Sequence, residues 1–211
     1  MIIGISGKAG SGKDTAAKML EVLYANPDIS YEDFVNKRYK NFADILIVHF
    51  ADALKETAQV LFRLGEWETN TQEGKKTTIN WIGKTVRELL QGIGQGLRDA
   101  IDFDLWVKIL FANTKGWSNY IIADVRYPNE IKAIKERNGI LLRIDRKGAG
   151  AGNHSSETAL DDYKEWDVHI ENNGSIEDLF ETMKIFIKNY PIDYIQFRAA
   201  RGFILGSPYF F

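Results

Sequence analysis

The sequence contains no cysteine, so a disulfide framework, a zinc–thiolate site and a cysteine nucleophile are all excluded. It also lacks an excess of positive charge, with 27 Lys and Arg against 29 Asp and Glu and a formal net charge of -2. No bulk positive field therefore points to nucleic acid as a partner. No stretch approaches the roughly 20 apolar residues that cross a bilayer, so we expect no membrane partner either.

The first apolar run, from Met1 to Ile5, is much shorter than a signal peptide and leads directly into a glycine-rich stretch. We therefore expect a cytoplasmic protein. The chain has 211 residues, of which 45% are hydrophobic and 27% charged, as is ordinary for a chain that buries a core. This length favours one α/β domain over two small ones, so we predict a single domain over residues 1–211.

Short apolar runs alternate with helical patterns along the chain. The candidate strands, each bounded by turn or helix signals, are 2–6, 45–50, 120–125, 140–144 and, more weakly, 167–170. The candidate helices are 15–24, 53–64, 86–101, 128–137 and 176–188. This alternation predicts an α/β fold with a doubly wound, parallel five-stranded sheet and helices on both faces.

Three polar stretches interrupt this pattern, at 26–44, 66–80 and 146–157. Long connections in a compact domain are functional lids or disordered inserts. We interpret the first two as inserts on the substrate side and the glycine-rich third as a mobile lid. The closing stretch 202–211, "GFILGSPYFF", is apolar for a chain end, so we expect it to pack on the body or at the contact of a homodimer.

The stretch "GISGKAGSGKDT", residues 4–15, fits the pattern G-x-x-x-x-G-K through Gly7, Gly12 and Lys13. A candidate strand precedes it and a candidate helix follows it. In that context the backbone N–H groups of the glycine loop, residues 7–12, curl around phosphate oxygens, and the helix N-terminus adds its partial positive charge. Lys13 would reach the β- and γ-phosphates of a nucleoside triphosphate.

Asp14 stands where this pattern usually has a Ser or Thr whose hydroxyl contacts Mg²⁺. A carboxylate could bind the metal directly or through water, and the hydroxyl of Thr15 could contribute instead. A third interpretation gives Asp14 no metal contact, since a carboxylate in the first helical turn also opposes the helix dipole.

The helical pattern "TVRELLQGIGQGLRDAI", 85–101, has an apolar stripe that includes Val86, Leu90 and Ile101. A narrow polar stripe borders it and contains Arg87, Gln91, Gly94 and Arg98. Two arginines beside a buried face are typical of a cleft wall, since the guanidinium fork binds phosphate oxygens in pairs. The alternative is two solvated arginines with buried stems.

Charged residues also follow two of the candidate strands. Asp124 and Arg126 end one, and Asp52 and Lys55 follow another. Ligands of open α/β sheets bind at the carboxyl ends of strands, so Asp124 could hold Mg²⁺ or orient the acceptor and Arg126 could neutralise transferred charge. Phe50, at the same strand end as Asp52, could stack on a base or belong to the core.

Five motifs occur in this order, "SGKDTAA", "FADALKE", "VRELLQGIGQGLR" with "DFDLW", "IIADVRYPNE" and "NHSSE". Together they resemble the phage-type deoxynucleoside monophosphate kinases, a branch of the P-loop nucleotide kinases, over most of residues 1–175. That family also has Asp after the loop lysine. The resemblance implies a P-loop kinase fold, a homodimer and transfer of the ATP γ-phosphoryl group to a deoxynucleoside 5′-monophosphate with Mg²⁺. A phage-encoded member would work in the host cytoplasm.

The resemblance also implies site residues. The ATP site would comprise Gly10, Ser11, Gly12, Lys13, Asp14 and Thr15, with Arg143 or Arg146 as a lid cation. The monophosphate site would comprise Phe50, Asp52, Lys55, Arg87, Gln91, Arg98, Arg126, Glu130, His154, Ser156 and Glu157. The catalytic groups would be Lys13, Arg98, Asp124 and Arg126, and the metal ligands Asp14, Thr15 and Asp124.

Some of these residues have a structural alternative. Glu130 follows Pro128 at a helix start, and Ser155 or Ser156 could cap a short helix that has Glu157 in its first turn. His49 and His169 are interpreted as core residues. The mechanism would be direct in-line transfer. The alternative functions are a P-loop kinase for a non-nucleotide phosphorylated metabolite and a non-catalytic ATP-binding regulatory module.

Overall fold

The computed structural model describes residues 1–39, 45–150 and 155–191. The predictions for His154 and for the apolar stretch 202–211 therefore lie outside the described residues. The chain divides into two compact units, the first comprising Met1–Val48 and Gly116–Phe211 and the second His49–Lys115. The single domain over residues 1–211 stays a prediction beside this division.

The secondary structure elements are numbered in chain order. The described strands are β1 (Ile2–Ser6), β2 (Leu46–Val48), β3 (Thr78–Ile79), β4 (Lys84–Thr85), β5 (Tyr120–Val125), β6 (Ile140–Asp145) and β7 (Val168–Glu171). The described helices are α1 (Lys13–Ala25), α2 (Tyr31–Val35), α3 (Asp52–Phe62), α4 (Glu66–Asn70), α5 (Val86–Ala100), α6 (Leu105–Asn113), α7 (Pro128–Lys135), α8 (Ser155–Thr158) and α9 (Ile176–Asn189). None of the described helices is long and apolar enough to cross a membrane.

The first unit is built on a five-stranded sheet in the order β2-β5-β1-β6-β7. All four strand pairs are parallel, and the central strand β1 is bonded to β5 on one side and to β6 on the other. The predicted parallel five-stranded sheet is confirmed in the described chain. Strand β2 is shorter than the predicted 45–50, and β7 is displaced by one residue from 167–170.

Successive side chains of a strand point to opposite faces of the sheet, and those of β1 are all buried, so helices cover both faces. Ile3 and Ile5 of β1 pack in one core cluster with residues of α1 and α9, among them the fully buried Phe180. Gly4 faces the other way, since a Cβ there would lie 2.6 Å from Cδ1 of Ile134 in α7. This close approach brings α7 against the strand that leads into the glycine loop.

The second unit is helical, with α3, α5 and α6 packed together and a small antiparallel pair of β3 and β4. Helix α5 begins at a capping box in which Thr85 and Glu88 satisfy each other's backbone N–H groups. Trp106 of α6 donates from its indole N–H to the Gly94 carbonyl at 3.0 Å. Ile101, predicted to continue the apolar stripe of α5, is 65% exposed because the helix ends at Ala100.

Several elements were not predicted from the sequence. The polar connection 66–80 contains α4, a 3₁₀ turn at Gly74–Lys76 and β3. Within 26–44 the short helix α2 begins at Ser30, whose side chain accepts from the Asp33 N–H. Helix α6, "LWVKILFAN", is apolar around most of its circumference and so shows no 3.6-residue contrast between faces.

Candidate active site

The glycine loop, residues 7–12, joins the end of β1 to the start of α1. Lys13 is the first residue of α1 and is 7% exposed, with its Nζ 3.9 Å from an Asp14 carboxylate oxygen. The N-cap residue is Gly12, which has no side chain to occupy the amide groups of the first turn. A helix begun in this way offers N–H groups and a partial positive charge to an anion.

Backbone geometry explains why glycine occupies this loop. Gly10 has φ +81° and Gly12 has φ +98°, in the left-handed region where a Cβ is strained. At Gly7 there is no room for a side chain, because a Cβ there would lie 2.5 Å from the Ile144 carbonyl oxygen and 2.4 Å from Ser11 Oγ. The sequence pattern therefore corresponds to a tightly curled loop seated on the end of β6.

Ser11 lies in the floor of the loop and is fully buried. Within the described part of the chain its Oγ has no hydrogen-bond partner. A buried polar atom without a partner is costly, so this hydroxyl is suited to a ligand that supplies acceptor oxygens. The Ser11 carbonyl does have a partner, the side-chain amide of Asn172 at 2.8 Å. No sequence motif pointed to Asn172, although it lies two residues after the weakest strand candidate, 167–170.

The carboxyl end of β5 holds Asp124, which is 7% exposed, and Arg126 in the turn that follows. Glu130, buried in the first turn of α7, accepts hydrogen bonds from the backbone N–H groups of Arg126 at 2.6 Å and Tyr127 at 3.0 Å. Its carboxylate therefore holds the turn that carries Arg126. This observation gives Glu130 the helix-start role, and contact with substrate stays a prediction for it.

Arg126 reaches across to α8. Its guanidinium forms an ion pair with the Glu157 carboxylate and lies 3.4 Å from the Ser156 carbonyl oxygen. Burial alone would lower the pKa of Arg126, but the negative charges of Glu157, Asp124 and Glu130 outweigh it and raise the pKa. Arg126 is therefore a fixed positive charge, partly exposed, at the carboxyl end of β5.

Glu157 also contacts the glycine loop, since its second oxygen lies 3.4 Å from the Ala9 N–H. The Ala9 carbonyl accepts from the Gly150 N–H at 3.1 Å, and Lys8 pairs with Asp161 at 3.0 Å. The tip of the loop is thus bound to the segment predicted as a lid. The short helix that the sequence offered as an alternative for Ser156 and Glu157 is present as α8.

The two candidate lid cations have different environments. Arg143 lies in β6, with Nε 2.8 Å from Asp145 Oδ1 and Nη1 3.2 Å from Ser6 Oγ. It is 9% exposed and so supports the strand end beneath the loop, whereas Arg146 is exposed on the turn after β6. The prediction that His169 is a core residue is wrong. Its side chain is exposed on the edge strand β7, and its Nε2 lies 2.8 Å from Asp145 Oδ2.

Two groups of predicted site residues lie in the second unit. Phe50 is buried, and Asp52 lies at the first position of α3 near Lys55, whose Nζ is 3.6 Å away. Burial would raise the pKa of Asp52, but hydrogen bonds and charge from His49, with Lys55, outweigh it and lower the pKa. His49 is thus a half-buried partner of Asp52 at a helix start, and the prediction that it is a core residue is wrong.

The second group lies on α5. Arg87 donates to Gln72 Oε1 at 2.7 Å, so this arginine is held by the 66–80 segment. Gln91 is half-buried one turn further on, and Arg98 is 7% exposed. The polar stripe predicted from the sequence therefore lies on one helix, and Arg98 is more buried than an arginine on a solvated face would be.

The carboxylates near the loop suit a magnesium ion shared with phosphate. Asp14 and Thr15 are exposed in the first turn of α1, and the Asp14 side chain is 72% exposed. The described residues contain no group of three or more His, Cys, Asp or Glu that could hold a metal alone. Mg²⁺ is commonly bound through one or two carboxylates together with substrate phosphates, and this donor set fits that mode.

A parallel sheet with a glycine loop after its central strand, a buried lysine opening the next helix and an arginine at the neighbouring strand end is consistent with the α/β fold of the P-loop kinases. The family model of the deoxynucleotide monophosphate kinases matches residues 29–183. The chain belongs to this family, which confirms the resemblance seen in the sequence, and it is a kinase.

Two relatives have the same family name. A protein of Acanthamoeba polyphaga mimivirus, provisionally assigned as a deoxynucleotide monophosphate kinase, is 33% identical over 207 residues, which cover 90% of this chain and 97% of the relative. The deoxynucleotide monophosphate kinase of Enterobacteria phage T4 is 29% identical over 111 residues, which cover 49% of this chain and 46% of that protein.

Proposed function

We propose that the protein transfers the γ-phosphoryl group of ATP to a deoxynucleoside 5′-monophosphate in a direct in-line reaction that requires Mg²⁺. The observation that supports ATP binding by the loop is the buried Lys13 at the start of α1, directly after the two left-handed glycines of the loop. At the N-terminus of the helix, this side chain is suited to hold the β- and γ-phosphates during transfer.

The donor triphosphate would be held by the backbone of Gly10, Ser11 and Gly12 and by Lys13. When bound, Mg²⁺ would neutralise charge on the phosphate oxygens, with Asp14, Thr15 or Asp124 among its ligands. The Ser11 hydroxyl, buried without a protein partner in the described chain, would donate to a phosphate oxygen or to the oxygen of a bound water. Arg146, exposed on the turn after β6, is the better of the two proposed lid cations because Arg143 is held by Asp145 and Ser6.

Charge neutralisation on the acceptor side is assigned to Arg126 and Arg98. Arg126 keeps its positive charge at every accessible pH, and its guanidinium can exchange the Glu157 carboxylate for phosphoryl oxygens without changing protonation. The other proposed acceptor residues are Phe50, Asp52, Lys55, Arg87, Gln91, Glu130, His154, Ser156 and Glu157. The homodimer, the cytoplasmic location and the absence of a nucleic-acid partner stay predictions.

The reaction is tested by measuring ADP release with a coupled assay across deoxynucleoside monophosphates, ribonucleoside monophosphates and small phosphorylated metabolites. We expect ADP release to rise on addition of at least one deoxynucleoside monophosphate and to require Mg²⁺. Stimulation by a phosphorylated metabolite alone would contradict the nucleotide acceptor. Basal ADP release that no acceptor changes would identify a regulatory ATP-binding module instead.

A further inference from the structure

Asn172, at the first position after β7, belongs to the β7–α9 connection, and its side chain reaches the glycine loop. It is 6% exposed, and its Nδ2 donates to the Ser11 carbonyl oxygen at 2.8 Å. The two residues are separated by 161 positions in the chain. A buried contact over this distance ties the last strand of the sheet to the proposed donor site.

The contact determines the direction of one peptide group of the loop. In a trans peptide the C=O of one residue and the N–H of the next point in opposite directions. Because the Ser11 carbonyl points towards Asn172, the Gly12 N–H points in the opposite direction, away from Asn172. This N–H is one of those at the beginning of α1 that a bound anion would accept from.

Asn172 is itself firmly held. Its backbone N–H donates to the Asp145 carbonyl at 2.7 Å, which anchors it to the end of β6. Three residues later Ser175 begins α9 with a capping box, in which Asp178 is the reciprocal partner. The amide therefore approaches the loop from a connection fixed at both ends, and it can transmit that rigidity to the Ser11–Gly12 peptide.

Gly12 and Asn172 also fit each other sterically. A Cβ on Gly12 would lie 2.5 Å from Asn172 Nδ2, closer than any real contact of a Cβ. The absence of a side chain at position 12 thus leaves the space that the Asn172 amide occupies. The motif glycine is needed here for its left-handed φ of +98° and also for this neighbour.

We propose that Asn172 is a positioning residue for the donor phosphates, acting through the Ser11–Gly12 peptide rather than by contact with the nucleotide. This inference rests on the proposed function of the glycine loop. With the amide present the Gly12 N–H is already oriented for an anion before the donor binds. Without it the peptide can rotate, and binding must restore the orientation.

The test compares Asn172→Ala and Asn172→Leu with the control Asn173→Ala. Leu has the same branching at Cγ and the same number of non-hydrogen side-chain atoms as Asn but cannot donate, whereas Asn173 is the exposed neighbour whose side chain accepts from the Lys147 N–H. The dissociation constant of a non-hydrolysable ATP analogue is measured with Mg²⁺ by direct titration, and KM is measured for ATP and for the monophosphate. All measurements are made well below the thermal midpoint of each variant.

We expect both Asn172 variants to raise the analogue Kd and the KM of ATP about tenfold, with the KM of the monophosphate within about twofold of wild type. The control should match wild type in all three. Unchanged binding of the ATP analogue in both variants would overturn the inference. A fall in thermal midpoint alone would not rescue it, because lower stability does not weaken binding of the donor selectively over the monophosphate. Equal changes in the two KM values would overturn it as well.

The same titration on Lys13→Ala separates this inference from the proposed function. If Lys13→Ala binds the analogue like wild type, the loop is not the donor site and the proposed function fails. If Lys13→Ala loses binding while the Asn172 variants retain it, the loop is the donor site and the positioning role of Asn172 alone is wrong.

Discussion

The guanidinium of Arg126 and the carboxylate of Glu157 form an ion pair that joins the end of β5 to the short helix α8. The other carboxylate oxygen of Glu157 lies 3.4 Å from the Ala9 N–H in the glycine loop. One side chain thus contacts both the loop proposed for the donor and the arginine proposed for the transferred charge. The Glu157 side chain is 7% exposed and that of Arg126 30%, so this bridge is only partly open to screening by solvent.

The first prediction concerns Arg126→Ala. The variant should lose at least about 100-fold in kcat/KM for the monophosphate, because a cation at the transferred phosphoryl group stabilises the transition state strongly. Binding of an ATP analogue should change by no more than about threefold, since this side chain is assigned to the acceptor side. Steady-state kinetics and direct titration separate the two quantities. Arg137→Ala, an exposed arginine that donates to the Ala133 carbonyl, is the control, and equal losses in both quantities would refute the assignment.

The second prediction concerns Lys13→Ala. Phosphoryl transfer should fall below detection in the coupled assay, because no other ammonium is buried at the start of α1 in the described structure. Circular dichroism should show an intact fold. Lys18→Ala removes an exposed lysine of the same helix, paired with Glu21, and should keep the wild-type rate. Near-normal turnover of the Lys13 variant would remove the loop from the mechanism.

The third prediction compares Gly12→Ala with Gly116→Ala. Both glycines have φ +98°, so both variants suffer backbone strain of about 1–2 kcal/mol in the free energy of unfolding. Only at Gly12 does the new Cβ meet a neighbour, Asn172 Nδ2, whereas nothing lies within 4 Å at Gly116. Gly12→Ala should therefore be the less stable variant in urea unfolding and should bind the ATP analogue more weakly. Equal behaviour of the two variants would mean that the loop accommodates the methyl group.

The fourth prediction tests the core beneath the sheet. Met183 of α9 is fully buried in the cluster with α1 and the sheet, whereas Ile185 of the same helix is 60% exposed. Met183→Ala should lower the free energy of unfolding by about 2–5 kcal/mol, because it removes buried apolar surface and leaves a cavity. Ile185→Ala should lie within about 0.5 kcal/mol of wild type. Urea titrations measure both, and similar values would contradict the packing of α9.

The central strands of the sheet could be predicted from the sequence because β1, β5 and β6 are mainly apolar runs that are buried along nearly their whole length. The glycine loop could be predicted because its backbone geometry leaves little choice of residue, as the clash at Gly7 illustrates. Helix α6 could not be predicted, since an element that is apolar on most sides has no periodicity. Helix α4 was hidden in a polar segment, where its N-terminal pairing between the Gly65 N–H and Glu68 is a local signal that was not used.

The parts of the candidate site that the sequence missed depend on contacts between distant positions. Asn172 reaches Ser11 across 161 positions, and no local pattern encodes that meeting. The pattern around His169 predicts a core residue, but in the edge strand β7 its ring is exposed beside Asp145. Residue type indicated which groups are chemically able to act, whereas their partners depend on the sheet order.

Strand β1 is bonded on both edges, by β5 and β6, and the glycine loop continues directly from it. The amide hydrogens of such a strand exchange with solvent only when the whole unit opens, while those of edge strands exchange through smaller openings. We therefore expect the loop to continue from the segment of its unit whose amide hydrogens exchange most slowly. Fluctuations at the edge strands would then disturb the glycine loop less than they disturb the surface around it.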